Sequence, residues 1–201
     1  MVIDNAFREI LPRYAGPLVR LYGRLGLTPN HVSAIGCGLG LAAAGCVAVG
    51  LAGPAMLLWW VGRLVDGTDG IFARDTGQAT DFGAYLDIVL DMAAYSAMIL
   101  GFAYANPELM DRWLLILLLY VLCITSALAL GMEEAKRDLP QRDDRGLRLG
   151  AGLAEAGETG IAYTLFLLLP EQLSPLTALW IAILLTTIVA RTLLARRRLA
   201  D

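Results

Sequence analysis

Asp66-Gly-Thr-Asp69-Gly70-Ile-Phe-Ala73-Arg74, then eight residues, then Gly83-Ala-Tyr-Leu-Asp87-Ile-Val-Leu-Asp91, is the segment on which the rest of the chain is arranged. Asp66 and Asp69 are spaced i, i+3 and Asp87 and Asp91 i, i+4, so on helices each pair projects from one face. Apolar sequence flanks both pairs. Charges beside hydrocarbon are expensive and usually mark a site. Two helices meeting at that depth would bring the four carboxylates together, where mutual repulsion demands a cation. An oxygen-only ligand set calls for a hard ion, Mg²⁺ or Mn²⁺.

Outward from this segment the chain is too apolar for an ordinary soluble domain, with 57% hydrophobic and only 17% charged residues among 201. It reads as an all-α integral membrane protein. A net charge of -3 argues against a nucleic-acid partner. Cys37, Cys46 and Cys123 lie in apolar runs without metal-ligand spacing and read as packing residues. Arg8 and Glu9 interrupt the region where a signal peptide would need its apolar core.

Six spans are expected in one domain over residues 1–201. Residues 3–26 carry apolar side chains at helical spacing, broken by Arg8, Arg13, Arg20 and Arg24, which suits an amphipathic helix on the membrane face. Pro12 and Pro17 would bend it, and an arm packed on protein is the alternative. Residues 30–195 then form the membrane bundle. Thr28-Pro29 caps the first span, Val32 to Leu51. Gly53-Pro54 reads as the reversal into the second, which begins near Ala55 and runs into Arg63, Asp66 and Asp69. Asp75 to Thr80 is a polar loop, and the third span, Phe82 to Ala105, opens with Asp87 and Asp91. Asn106-Pro107 breaks the helix before a fourth span, Arg112 to Met132. A charged loop from Glu133 to Arg148 precedes a fifth, Leu149 to Leu169. The sixth, Leu176 to Leu194, is read as started by Ser174-Pro175. Of sixteen Lys and Arg residues only Arg112 falls on the far side, so the positive-inside rule puts both termini and the carboxylates in the cytoplasm. In a bacterium this is the inner membrane.

The segment resembles the signature of the CDP-alcohol phosphatidyltransferase family, Asp-x-x-Asp-Gly-x-x-Ala-Arg, eight residues, Gly-x-x-x-Asp-x-x-x-Asp. All eight fixed positions are present, at Asp66, Asp69, Gly70, Ala73, Arg74, Gly83, Asp87 and Asp91. The resemblance implies transfer of the phosphatidyl group from CDP-diacylglycerol to an alcohol with release of CMP, two metal ions, and a homodimer in membrane lipid. It implies that Asp66, Asp69, Asp87 and Asp91 are metal ligands, with Asp91 also the catalytic base. The nucleotide contacts carried over are Asn30, Ser33, Asp66, Gly70, Arg74, Thr80 and Gly83. Gly70 and Gly83 would let the nucleotide approach the helix backbone, the alternative being close helix packing. Arg63 reads as a partner of Asp66, and His31 as an interfacial polar residue.

Family members with phosphorylated acceptors tend to open the fifth span with Glu-Arg-x-Glu-Arg. This chain has Glu155-Ala156-Gly157-Glu158-Thr159, which keeps both acids and lacks both arginines. Guanidinium forks are the groups best suited to a phosphate dianion, so an unphosphorylated polyol or amino alcohol is expected. Glycerol 3-phosphate or inositol phosphate is the alternative. The run Gly152 to Thr159, Gly-Leu-x-Glu-x-x-Glu-Thr, resembles a bacterial branch of the family. Lys136, Glu155, Glu158 and Arg191 are the candidates for the acceptor pocket. A divalent-cation transporter is the rival class, but the acids gather at one membrane side while the distal halves of the spans are apolar.

Overall fold

Thr28 shows how directly the sequence is converted into structure. Its hydroxyl accepts from His31 N (3.4 Å), while Thr28 N donates back to His31 Nδ1 (3.2 Å), a reciprocal cap with Pro29 in the first turn. His31 is therefore a capping residue. The computed structural model describes residues 15–137 and 156–200; the expectations for residues 3–14, the Glu133 to Arg148 loop beyond residue 137, and Glu155 lie outside them.

Helix α1 covers 15–24 and ends at Gly26, whose φ of 66° lets the chain turn into α2 (Pro29–Ala48). There follow α3 (Ala52–Asp75), α4 (Asp81–Ala105), α5 (Met110–Lys136), α6 (Ala156–Leu168) and α7 (Leu173–Leu199), with single 3₁₀ turns at Pro107–Leu109 and Pro170–Gln172. The all-helical reading holds throughout the described residues. Helices are one of two ways to satisfy every backbone polar group in hydrocarbon.

Among the described residues, four helical stretches are long and apolar enough to cross a membrane: α2, α4, Pro107–Lys136 and Pro170–Leu199. The six-span expectation is thus met in four. Helix α3 has the length, at 24 residues, but Arg63, Asp66 and Asp69 lower its apolar character. Helix α6 is described for only 13 residues. Outward-facing Leu57, Leu114, Leu118, Val121, Leu179 and Val189 are all exposed, as expected of faces turned to lipid rather than water.

Three expected boundaries are corrected. The reversal between α2 and α3 is made at Gly50, with φ 76°, and Gly53-Pro54 already lies in the first turn of α3. Ser174 is not a cap: α7 starts at Leu173, and Pro175 sits in the first turn, where its missing N–H removes no helical bond. The fourth helix does not stop at Met132 but carries Glu133, Glu134 and Lys136 inside α5. Glu134 is buried there because Arg198 of α7 pairs with it.

Helix α2 lies between α3 and α4, and small residues set its distance from both. A Cβ on Gly101 of α4 would stand 2.5 Å from the Ala44 carbonyl oxygen of α2, a contact that only backbone movement relieves. Gly101→Ala is expected to destabilise the bundle by about 1–3 kcal/mol. Thermal unfolding in detergent checks this; an unchanged midpoint would show that the two helices can separate freely.

Aromatic rings fill the space between α3, α4, α5, α6 and α7. Phe102 stacks on Trp113 with centroids 5.5 Å apart, and Phe166 meets both edge-on. Several of their polar ends are paired: Tyr163 donates to the Tyr95 carbonyl (2.8 Å) and lies 3.0 Å from Tyr120 Oη, which accepts from Trp180 Nε1 (3.0 Å). This core fixes α4 against the other helices and so fixes where Asp87 and Asp91 point.

Candidate active site

The acidic side chains enter from two helices, and α2 and Arg63 determine how they meet. On α3, Gly36 of α2 packs against Asp66 so closely that a Cβ there would stand 3.0 Å from the Asp66 Cβ. One turn earlier on α2, the buried Ser33 hydroxyl is hydrogen-bonded to Asp69 Oδ2 and lies 3.2 Å from the Pro29 carbonyl oxygen. Asp69 Oδ1 accepts from the Gly70 backbone N–H. Ser33, expected at the nucleotide, is hydrogen-bonded so that it orients Asp69. Asp69 is almost fully buried, and both its oxygens are fixed.

Asp66, Asp69 and Asp87 each offer an oxygen, and these atoms all lie within 4.8 Å of one another. Three carboxylate oxygens gathered so closely fit a hard divalent ion such as Mg²⁺ or Mn²⁺. Asp91 is not in that group. Its Oδ1 accepts from Arg63 Nη1, the same nitrogen that lies 3.3 Å from Asp66 Oδ2 and 3.2 Å from Tyr95 Oη. Of the four carboxylates expected to hold metal, three are gathered at one point, and a guanidinium stands between Asp91 and Asp66. Arg63 as a partner of Asp66 was legible at i, i+3; its second partner, Asp91, was not, because it depends on the register of α3 against α4.

The expected nucleotide residues divide. Asn30, Thr80 and Gly83 come together: Thr80 caps α4 by accepting from Gly83 N (3.0 Å), and a Cβ on Gly83 would stand 3.2 Å from both Asn30 Oδ1 and Thr80 Oγ1. Around Gly70 a Cβ would meet only the tip of Arg74, at 3.5 Å, so close helix packing is not what places a glycine there. Arg74 is exposed in the last turn of α3.

The expected acceptor residues are not brought together by the contacts described. Lys136 pairs with Glu133 on its own helix (2.8 Å) and is exposed. Arg191 is buried and donates to the Cys123 carbonyl and to Ser126 Oγ (3.1 Å), tying α7 to α5 beside a cavity of about 230 Å³ that Glu133 and Leu199 also line. Glu158 is half-buried in the first turn of α6. Sequence reasoning missed Tyr22, whose hydroxyl meets Thr68 (3.0 Å) while its ring packs edge-on against Phe72, so α1 docks on the acidic helix. The apolar spacing of α1 could have shown a buried tyrosine but not its partner.

Comparison with known proteins agrees with this geometry. A family model described as CDP-alcohol phosphatidyltransferase matches residues 27–191. The chain is 33% identical over 157 residues to the inner membrane protein YnjF of Escherichia coli, covering 76% of this chain and 75% of that protein. It is 30% identical over 153 residues to a phosphatidylinositol phosphate synthase of Mycobacterium marinum, covering 75% of this chain but only 62% of that one. A crystal structure of the Mycobacterium tuberculosis phosphatidylinositol phosphate synthase with manganese and citrate shares the fold, with TM-score 0.70 at 23% identity over 89% of this chain and 87% of that one. The same synthase with CDP-DAG bound aligns with TM-score 0.68 at 24% identity over 94% of each chain. With three of the four signature carboxylates gathered at one point and the family model spanning most of its length, the chain belongs to the CDP-alcohol phosphatidyltransferase family of membrane-bound, metal-dependent phosphotransferases.

Proposed function

We propose that this protein transfers the phosphatidyl group of CDP-diacylglycerol to the hydroxyl of a small alcohol and releases CMP, and that the alcohol carries no phosphate. The convergence of Asp66, Asp69 and Asp87 within 4.8 Å carries the reading of the reaction. A divalent ion held there would supply positive charge to the phosphoryl oxygens. Asp66, Asp69 and Asp87 would hold it, and Ser33 and the Gly70 N–H keep Asp69 aimed. Asn30 and Thr80, gathered at Gly83, offer polar contacts, and the open backbone at Gly70 close approach to the nucleotide, with Arg74 placed to pair with a phosphate. Asp91, whose Oδ1 is occupied by Arg63, takes the acceptor's proton on its other oxygen.

The reading of the acceptor rests on the two positions that lack arginine, Ala156 and Thr159, and on Lys136 and Arg191 each being engaged with neighbours. A second reading, inositol phosphate, is favoured by the names of relatives, among them the M. marinum synthase and an archaetidylinositol phosphate synthase of Pyrococcus horikoshii, 31% identical over 108 residues. An acceptor screen on purified protein with CDP-diacylglycerol and Mg²⁺ or Mn²⁺ separates the two. Unphosphorylated polyols and amino alcohols are expected to outperform their phosphates; a clear preference for inositol phosphate or glycerol 3-phosphate would establish the second reading.

The placement that suits this chemistry is a six-span bundle with the N-terminal helix on the interface, in the bacterial inner membrane. The carboxylates face the cytoplasm and the acyl chains leave sideways into lipid. Basic residues on one side support that orientation. Homodimerisation follows from the family resemblance and is open to light scattering in detergent.

A further inference from the structure

Thr68 lies in sequence between two of the proposed metal ligands, Asp66 and Asp69, yet it stands on another side of the helix. Successive helical residues are about 100° apart, so Val65, Thr68 and Phe72 form one stripe of α3 and Gly62, Asp66 and Asp69 another. The second stripe meets α2, where Gly36 packs on Asp66 and a Cβ on Gly62 would stand 3.1 Å from the Gly36 carbonyl oxygen. The first is covered by Tyr22 of α1, which is buried with Val32 and Phe72 in an apolar cluster separate from the aromatic core. The Thr68 side chain is fully buried, and its one proton is committed, because Oγ1 donates to the Val65 carbonyl (2.7 Å). The 3.0 Å contact with Tyr22 Oη is therefore a bond that Tyr22 donates and Thr68 accepts. The other residues of the cluster, Leu18, Val19, Leu27, Val32, Val65 and Phe72, are apolar. Their contacts have no preferred direction, whereas the Tyr22 bond does.

Rotation of α3 matters because the acidic site draws on two helices. A carboxylate about 5 Å from the helix axis moves by about 1 Å when the helix turns by about 10°, while a metal site holds its distances to about 0.2 Å. Such a turn would carry Asp66 and Asp69 and leave Asp87, on α4, where it is. We propose that Tyr22 is a positioning residue for the metal site: by donating to Thr68 it fixes the rotation of α3 and so keeps Asp66 and Asp69 in register with Asp87. The glycine contacts with α2 set how near α3 approaches, and the bond to α1 sets which way it faces. Thr68 falls at a variable position of the family signature, so the device belongs to this chain's own sequence. The proposal rests on the carboxylates binding metal, as argued above.

Mn²⁺ binding to the full chain in detergent, followed by electron paramagnetic resonance alongside thermal unfolding, tests it. Tyr22→Phe keeps the ring on Phe72 and removes only the hydroxyl. It is expected to weaken Mn²⁺ binding by about tenfold, the lower end of what losing a group that orients metal ligands costs. Thr68→Val should weaken binding to the same degree, and Thr68→Ser, which keeps the hydroxyl, should retain wild-type affinity. Tyr22→Phe combined with Thr68→Val should bind no more weakly than Thr68→Val alone, because both changes remove one bond. A lowered unfolding midpoint with unchanged Mn²⁺ affinity would make Tyr22 merely structural and overturn the proposal. Losses that add in the double variant, or binding weakened equally by Thr68→Ser, would overturn it too and leave the metal reading standing. Wild-type protein that binds no Mn²⁺, or whose binding is indifferent to Asp66→Asn, would remove the metal reading and the proposal with it.

Discussion

Asp69→Asn is expected to lower the rate of CMP release from CDP-diacylglycerol by on the order of 10³-fold, the upper range for losing one preorganised electrostatic group at a reacting phosphoryl centre. The reason lies in the local geometry. Asp69 is almost fully buried, its Oδ2 is held by Ser33 and its Oδ1 by the Gly70 N–H, so no other side chain can move in to replace its charge. Asparagine keeps the shape, removes the charge, and turns an N–H₂ toward one of its two donors. Chelation with EDTA should abolish activity in the wild-type protein, and added Mg²⁺ or Mn²⁺ should restore it. Ser33→Ala provides the graded comparison, because losing a group that only orients a ligand weakens metal binding by about 10–100-fold. Release of CMP at the wild-type rate by Asp69→Asn, or after complete chelation, would remove the metal from the mechanism.

Asp91→Asn carries the second large effect, a fall in turnover of about 10²–10⁴-fold, as for loss of a general base. CDP-diacylglycerol binding should survive, because Asp91 lies apart from the three grouped carboxylates and on the far side of Arg63. Turnover and nucleotide binding measured on the same preparation separate a base from a metal ligand. Near-wild-type turnover would take Asp91 out of the chemistry. Lost nucleotide binding would assign it to the metal instead.

These residues also show how unevenly the sequence reports on its own fold. The cap at Thr28-Pro29, the break at Asn106-Pro107 and the start of α4 near Thr80 were legible, because caps and prolines act within one turn. The reversal at Gly50 was misplaced to Gly53-Pro54 because both sites carry turn chemistry, and only the one with positive φ bends the chain. Glu133 and Glu134 read as loop because charges usually end a span; the partner that keeps Glu134 helical and buried is Arg198, 64 residues away. Ser33 was expected at the nucleotide from the family resemblance; its hydrogen bond to Asp69 was not legible, because that partner belongs to another helix.

By itself the sequence determined that the chain is helical and membrane-embedded, and that each of two acidic pairs projects from one face of its helix. Composition and i, i+3 or i, i+4 spacing are local properties that survive without knowledge of any partner. Only the tertiary structure decided that three carboxylates meet while the fourth is taken by Arg63. That outcome depends on how far α3 is rotated and shifted against α4, which is set by glycine contacts with α2 and by the rings of Trp59 and Tyr95 against Arg63. Rotation and shift are properties of pairs of helices, and no single segment encodes them.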